Sequence, residues 1–370
     1  MRCLDWYVLG EWLKIFLLCL GLVVAVLLLQ ETYNDLPALL DSEATLGEIV
    51  RYFLILVPGF IPTLVPLGML VSVLFAVGTL HRTQELTAMW AAGISLWRIS
   101  LPLWAAGIGL TGGLFWLGAS VVPQTQELAR QEYEQLRYGK GRAADDTRKP
   151  WLYQNLGFSM PGGEALWHFN FLDTRQGMAE GASWFSIAED GRELERRVGE
   201  RAEWNEAREG WMFYDGLIIQ RAPLGTEIVA EIPFKELLIP ADGLSPRVMA
   251  SLQAKPQDLS LARLREVVGQ FSVGQGGRLL RYEIVYQRAL AEPLACLVAV
   301  AFGVPFAASG VRRNPFVGTS RAIGVFLLYL IGGRILALMG SRGLIEPILA
   351  AWLPPVIALT FGLWLFLRGR

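Results

Sequence analysis

The arrangement of apolar segments constrains this chain more than any other feature: three long ones, a polar stretch over residues 123–280, then three more. A bilayer's hydrocarbon core is crossed by about 20 mostly apolar residues in helical form. Residues 12–29, 53–80, 99–122, 289–308, 316–339 and 348–367 meet that requirement. Spans of this length satisfy their own backbone polar groups as helices, whereas a membrane barrel would read as alternating segments of about 10 residues. The expected fold class is an α-helical membrane protein of six transmembrane helices, three plus three, with a domain inserted between the halves. Such a frame suits a machine that moves something between a membrane and the compartment beside it.

Composition narrows the partners. With 53% hydrophobic residues and only 18% charged, the charges must concentrate between the spans. A net charge of -1 and a pI near 6.2 leave no basic footprint for nucleic acid. The first apolar segment has a signal-peptide look, but Gln30-Glu31-Thr32 follows it without a small-residue cleavage pattern, so it is expected to be a retained helix. Cys3, Cys19 and Cys296 lie in or beside spans, so the inserted domain has no disulfide framework, and His81 and His168 belong to no Cys/His cluster; no metal site is expected.

Positive charge in short connections sets orientation. With the amino terminus inside, Arg2, Lys14, Arg82, Arg98, Arg312, Arg313, Arg321, Arg368 and Arg370 are internal, against Arg51 and Arg342 outside. Arg278, Arg281 and Arg288 count the other way, although long translocated domains follow the rule poorly. Both termini are then cytoplasmic and the insert is external.

The expected organisation is residues 1–123 for the first three spans, 124–149 for a polar helical connector, 150–245 for a β domain, 246–280 for a tether and helix, and 281–370 for the last three spans. Within the β domain, Trp167-His168-Phe169-Asn170-Phe171 alternates aromatic with polar residues, as a half-buried strand does. Residues 184–188, 201–204, 211–220 and 227–234 look like further strands. Asp190-Gly191, Asp215-Gly216 and Leu224-Gly225 carry turn chemistry. The segment reads as a small antiparallel sandwich, followed by a Pro-punctuated tether over 240–256 and a helix near 259–268. Trp151, Phe169, Phe171, Trp184, Phe185, Trp211 and Phe213 either form its core or line an open groove for acyl chains. At about 0.8 kcal/mol per buried methylene, extracting a multi-chain lipid into such a groove needs coupling to an energy source.

The chain encodes no such source, because no Gly-x-x-x-x-Gly-Lys-Ser/Thr phosphate loop occurs in it; Gly139-Lys140-Gly141 is the nearest approach. Nucleotide hydrolysis then belongs to a partner, which the inner loop between spans two and three is placed to meet. In that loop Thr83 is a candidate cap for a short helix, Glu85 suits its positive-ended first turn, and Gly93 can end it. Leu86, Met89 and Trp90 share one face, expected to dock in a partner's groove or lie in the interface.

The stretch Gln84-Glu85-Leu86-Thr87-Ala88-Met89-Trp90-Ala91-Ala92-Gly93-Ile94-Ser95 strongly resembles the coupling helix of the lipopolysaccharide-export permeases, the LptF/LptG type of ABC-transporter membrane subunit. The resemblance extends to Pro58, Pro62 and Pro66, to Val122-Pro123, to Glu292-Pro293-Leu294 with Gly303-Val304-Pro305-Phe306, and to Ala350-Ala351-Trp352-Leu353-Pro354. It covers nearly the whole chain. It implies a six-helix subunit of the bacterial inner membrane with a periplasmic β-jellyroll, paired with a second six-helix permease and driven by a cytoplasmic ABC ATPase dimer that binds ATP and Mg. In that family lipopolysaccharide passes from the membrane to the jellyroll and then to periplasmic bridge proteins, and no cofactor sits on the permease. Glu85 matches the family's coupling carboxylate, with Leu86, Met89 and Trp90 beside it. Arg201-Ala202-Glu203-Trp204, Trp211 and Asp215-Gly216 look more like the LptG than the LptF partner.

The chain departs from the pattern where LptG-type subunits carry basic residues at the outer end of the first helix: here stand Glu31 and Asp35, with no Lys or Arg until Arg51. Arg51, Arg288 and Arg334 are the substitute candidates for lipid phosphate, and Phe169, Phe171 and Phe213 for acyl chains. Arg334 lies within span five, where a charge is costly and by default functional unless it snorkels; Glu292 is its expected structural partner. Gly107, Gly109, Gly112 and Gly113 invite close helix packing. Two other classes fit less well. A permease of another ABC export system, for lipoproteins or peptides, commonly places its large external domain after the first helix, and a non-transporting scaffold with a protein-binding β domain has no use for a coupling carboxylate.

Overall fold

The computed structural model describes residues 2–40, 45–138, 152–159, 165–188, 192–222, 228–241, 244–253, 256–270, 277–309 and 315–368. In chain order the helices and strands are α1 (Arg2–Leu40), α2 (Leu46–Arg82), α3 (Glu85–Ala91), α4 (Leu96–Trp116), α5 (Val122–Tyr138), β1 (Leu152–Ser159), β2 (Ala165–Asp173), β3 (Met178–Ile187), β4 (Glu193–Asn205), β5 (Gly210–Arg221), β6 (Ile228–Pro240), α6 (Pro246–Gln253), α7 (Leu261–Gln270), α8 (Gly277–Ala291), α9 (Ala295–Ser309), α10 (Pro315–Ser341) and α11 (Pro347–Arg368). They fall into two compact units, Met1–Arg137 with Tyr286–Arg370, and Tyr138–Val285. The polar connector helix α5 thus groups with the apolar helices.

The first unit holds five whole segments and most of a sixth that are long and apolar enough to cross a membrane: Leu4–Leu36, Leu46–Arg82, Leu96–Gln126, Leu279–Ala308, whose first residues belong to the second unit, Gly318–Ser341 and Pro347–Arg368. α2 and α9 form its buried centre, and α1, α4, α10 and α11 pack around them with leucine-rich faces turned outward. Small residues permit the close packing at the centre. A Cβ on Gly107 of α4 would press on Val300 at 3.2 Å and Leu297 at 3.3 Å of α9, and one on Gly303 would meet Val73 of α2 at 2.8 Å. Gly109, Gly112 and Gly113 meet nothing within 4 Å, so of the α4 glycines only Gly107 makes such a contact among the described residues. The fourth span is not one straight helix. A 3-10 turn over Glu292–Leu294, set by Pro293, separates α8 from α9.

The second unit is built on one six-stranded antiparallel sheet in simple sequence order, β1 to β6. The expected sandwich is therefore realised as a single rolled sheet. Strands three places apart in a flat sheet lie about 14 Å from one another, yet Phe169 on β2 packs at a tilt against Trp211 of β5 with ring centroids 5.1 Å apart, and Trp167 meets Phe213 at 6.2 Å. Only a strongly curled sheet closes that distance, and its concave side is the core: Trp167, Phe169, Trp211 and Phe213 are fully buried there.

A row of kinks crosses all six strands. Asn155, Gly181 and Asp215 have φ of 52°, 61° and 48° on β1, β3 and β5. The pairing registers align them with Asn170, Glu200 and Lys235 on the strands between. Along β2 the buried positions step from Phe169 to Leu172, an odd interval, so the inward face changes phase at the row. Asp215-Gly216 is therefore not a turn between strands but the bend inside β5. Asp190-Gly191, Leu224-Gly225 and the 139–150 break lie outside the described residues. Beyond the row, Trp184 and Phe185 on β3 lie under the guanidinium groups of Arg197 and Arg196 on β4, at 4.5 and 4.6 Å. α6, within the segment expected to be a tether, packs with α7 and β1 and buries Val248 and Met249.

Candidate functional site

The loop between α2 and α4 folds as expected into a short helix, but its start differs. Thr83 does not cap it: its hydroxyl bonds back to the Thr79 and Leu80 carbonyls, and Gln84, at φ 64°, turns the chain into α3. The other end follows the sequence. Gly93 adopts φ 79°, its N–H donates to the Trp90 carbonyl at 2.9 Å and that of Ile94 to the Met89 carbonyl at 3.0 Å, the paired bonds of a Schellman stop.

Which face of α3 looks outward is also revised. Leu86 is fully buried in the bundle core, and Met89 and Ile94 pack against that core. Leu86 and Met89 therefore anchor the helix rather than offering themselves to a partner. The outward face is small and polar, Gln84, Thr87, Ala88 and Ala91, flanked by Trp90, which is 38% exposed with its ring 6.3 Å from that of His81. Glu85 accepts a hydrogen bond from the Tyr7 hydroxyl of α1 at 2.9 Å, and no cation reaches its carboxylate among the described residues. A second tie joins α1 to the start of α4, where Arg98 grips Asp5 through two bonds of 2.7 and 2.9 Å. Both ends of the α3 segment are thus fastened to the first turns of α1.

The three candidate phosphate ligands separate. Arg51 faces Glu132 of α5 at 3.5 Å and lies outside the cavity described next. Arg288 is paired with Glu292 one turn on, so Glu292 is not the partner of Arg334. Arg288, Glu292 and Arg334 nonetheless line one open cavity of about 170 Å³ at the surface of the bundle, walled by Pro62, Thr63, Pro66 and Leu67 of α2, by Tyr329 and Leu330 of α10, and by Ala350, Ala351, Pro354 and Pro355 of α11; Arg334 and Glu292 are themselves exposed. Arg334 has no hydrogen-bond or ion-pair partner among the described residues.

The aromatic candidates of the sheet divide too. Phe169 and Phe213 are core, whereas Phe171, just past the kink row, is 43% exposed. The indole N–H groups of Trp167 and Trp211 are buried without a partner among the described residues. No group of His, Cys, Asp and Glu able to hold a metal occurs among the described residues.

Comparison with known proteins bears on both units at once. The family described as Lipopolysaccharide export system permease LptF/LptG matches residues 6–368, so the match takes in the helical bundle and the inserted sheet. The chain belongs to the LptF/LptG permease family. Among curated relatives it is 23% identical over 328 residues to the lipopolysaccharide export system permease protein LptG of Escherichia coli K12, covering 86% of this chain and 84% of that one. It is 22% identical over 324 residues to LptG of Haemophilus influenzae, covering 85% and 84%. It is thus an LptG-like permease, a multi-pass protein of the inner membrane. The matched length includes α3 and the helices walling the Arg288–Arg334 cavity.

Sequence reasoning missed two features of the site. The Tyr7 and Asp5 ties join residues 78 and 93 positions apart, for which one sequence carries no signal. The Arg288–Glu292 pair, by contrast, has the i,i+4 spacing that brings side chains together on a helix, a signal that was there to be used.

Proposed function

We propose that this permease is the membrane subunit of an ATP-driven exporter that takes lipopolysaccharide, or a related glycolipid, from the inner membrane and delivers it to a periplasmic bridge. Both termini are cytoplasmic in this reading and the rolled sheet is periplasmic. A separate ABC ATPase dimer binds ATP and Mg and supplies the work, and a second six-helix permease, paralogue or self, completes the pathway. The chain itself catalyses nothing.

The construction of α3 carries the proposal. A seven-residue helix is too short to persist alone; here it is held by the buried Leu86 and by the Gly93 stop, with its small polar face and the Glu85 carboxylate turned to the surface. That is how a force-receiving element should be built. A partner pushing on the outward face moves Leu86 and Met89 into the core side chains of α2, while Tyr7 and Arg98 pass the displacement to α1 and α4. Glu85, with no cation at its carboxylate among the described residues, suits a basic residue of the ATPase. The family membership and the LptG names of the relatives support the lipid as cargo. Acyl chains would enter the concave side of the sheet only if the Phe169–Trp211 contact opened, whereas Phe171 is accessible without rearrangement.

The test is the Glu85→Gln variant purified with its ATPase and partner permease. The expected result is an assembled complex whose lipopolysaccharide release and lipid-stimulated hydrolysis both fall about tenfold or more, the scale of a lost charge-assisted bond. Wild-type coupling in the assembled variant would remove Glu85 from the mechanism.

A further inference from the structure

Among the described residues the rolled sheet has two edges, β1 and β6, with the apolar core between its curled faces, and the two ends of the roll are finished differently. Residues paired directly across strands share a face. The buried Trp167 therefore puts Trp184 and Arg197 on the concave side, and Glu195, two residues from Arg197, joins them. At that end Glu195 accepts hydrogen bonds from Arg197 at 2.6 Å and Gln220 at 3.3 Å, and the Arg197 guanidinium covers the Trp184 ring. An apolar guest arriving there would have to strip water from an ion pair, which is costly.

The opposite end, where β1 begins and β6 finishes, is closed by α6. Residues 241–245 lead from β6 into this helix, which starts at Ser245, whose hydroxyl accepts from the Val248 N–H at 3.4 Å, and at Pro246 with its preset φ. Ala241, Leu244, Val248 and Met249 are buried, Pro246 comes up against the Gly177 turn between β2 and β3, and α6 packs on β1. The helix thus reaches from one edge of the sheet to the other. Eight residues are too few for a helix to hold itself, so its place is set by these contacts together with a hydrogen bond: the buried Tyr282 donates its hydroxyl to the Leu252 carbonyl at 2.9 Å. Tyr282 belongs to α8 and to the Leu279–Ala308 segment, so the side chain that holds α6 is carried by the fourth span. Inside the roll, the buried indole N–H groups of Trp167 and Trp211 lack an acceptor among the described residues, and a guest with an ester, amide or hydroxyl oxygen would supply one.

We propose that α6 is a stopper, which leaves the seam between β1 and β6 to admit an apolar guest to the concave side, and that Tyr282 is the positioning residue tying its opening to movement of the fourth span. The closed state keeps the aromatic core dry by burying Val248 and Met249 at the α6 end, side chains whose apolar contacts an acyl chain can replace. The charged rim at the other end directs entry to this door. A pull on α8 acts on α6 through the Tyr282–Leu252 bond, so the door opens when the fourth span moves and not whenever lipid is near. That the guest is a lipid rests on the export reading above; the stopper and its tie do not.

The experiment follows hydrogen exchange in the full complex, with its ATPase and partner permease, in nanodiscs containing lipopolysaccharide, at rest and during ATP turnover. The Met249 amide, bonded to the Ser245 carbonyl at 3.0 Å, reports on α6, and the paired amides of β1 and β6 report on the sheet. Wild type, Y282F and M249A are compared, and co-purification of the partners checks assembly. The expected result is Met249 exchange about tenfold faster during turnover in wild type, the scale of one lost hydrogen bond. Y282F should lose that response to ATP, and M249A should exchange fast at rest, while β1 and β6 keep their protection in all three. Wild-type exchange at α6 indifferent to ATP, an undiminished response in Y282F, or a rise in M249A that spreads equally over β1 and β6 overturns the stopper. ATP-dependent lipopolysaccharide release by the wild-type complex is measured in parallel: release without an α6 response removes the stopper and leaves export standing, and an α6 response without release does the reverse.

Discussion

Replacing Leu86 with alanine separates anchoring from contact in α3. Leu86 is fully buried, and removing its three outer carbons from a packed core costs about 2–5 kcal/mol. A seven-residue helix has almost no stability of its own to absorb that loss. At about 1.4 kcal/mol per factor of ten, the population of undocked α3 should rise roughly 30-fold to several thousand-fold. Hydrogen exchange of the Ala88, Ala92, Gly93 and Ile94 amides, all bonded in the docked helix, reads this directly in the assembled complex. The expected outcome is exchange faster by at least tens-fold at these amides alone, with lipid release lost while basal ATP hydrolysis persists. L86M, which conserves volume, should stay within about 1.5 kcal/mol of wild type. Unchanged exchange in L86A, or full lipid release despite fast exchange, would refute the idea that the bundle holds α3 through this side chain and that transport needs it held.

Four further outcomes follow from the same geometry. Y7F, which removes the donor to Glu85, should lower lipid released per ATP hydrolysed without changing complex yield, and the double variant Y7F/E85Q should be no worse than E85Q alone. Reversing the Asp5–Arg98 pair should show rescue, with D5R and R98D each impairing release and D5R/R98D restoring part of it. G216A should destabilise the sheet by about 1–3 kcal/mol in thermal unfolding followed by tryptophan fluorescence, because a Cβ there runs into the Val198 carbonyl and the Phe234 ring, whereas G109A, with nothing within 4 Å, should be silent. Burial pushes the Glu193 carboxyl up, but hydrogen bonds from Arg196 and Arg221 outweigh it and hold the group below its ordinary 4.5. Its stabilisation, about 1 kcal/mol at most for partly exposed pairs, is present above pH 4.5 and lost as pH falls through the lower folded value. The thermal stabilities of wild type and E193Q should therefore differ at pH 7 and converge in acid.

Much of this architecture is legible in the sequence because it rests on local periodicity. The six spans announce themselves by length and hydropathy, and Trp167 to Phe171 by alternation. Gly93 is marked by the residue type that a left-handed helix stop requires. What stayed hidden depends on partners distant in the chain. Asp215-Gly216 has the chemistry of a turn, and only its alignment with Asn155 and Gly181 across the sheet makes it a mid-strand bend. β1 escaped because Leu152–Ser159 has Leu156 as its only fully buried member among the described side chains and shows no regular alternation. The apolar face of α3 pointed correctly to a docking surface but not to its owner, since periodicity reports that a face is covered and not by what. The Arg288–Arg334 cavity needed five helices to assemble before three charged residues could be seen to share it.

The most direct test of the central claim is reconstitution of this permease with its ATPase and partner permease in proteoliposomes loaded with lipopolysaccharide, scoring lipid transferred to a soluble periplasmic acceptor. The account predicts transfer that requires ATP and collapses in E85Q. ATP hydrolysis by a fully assembled wild-type complex with no transfer of lipid would contradict it.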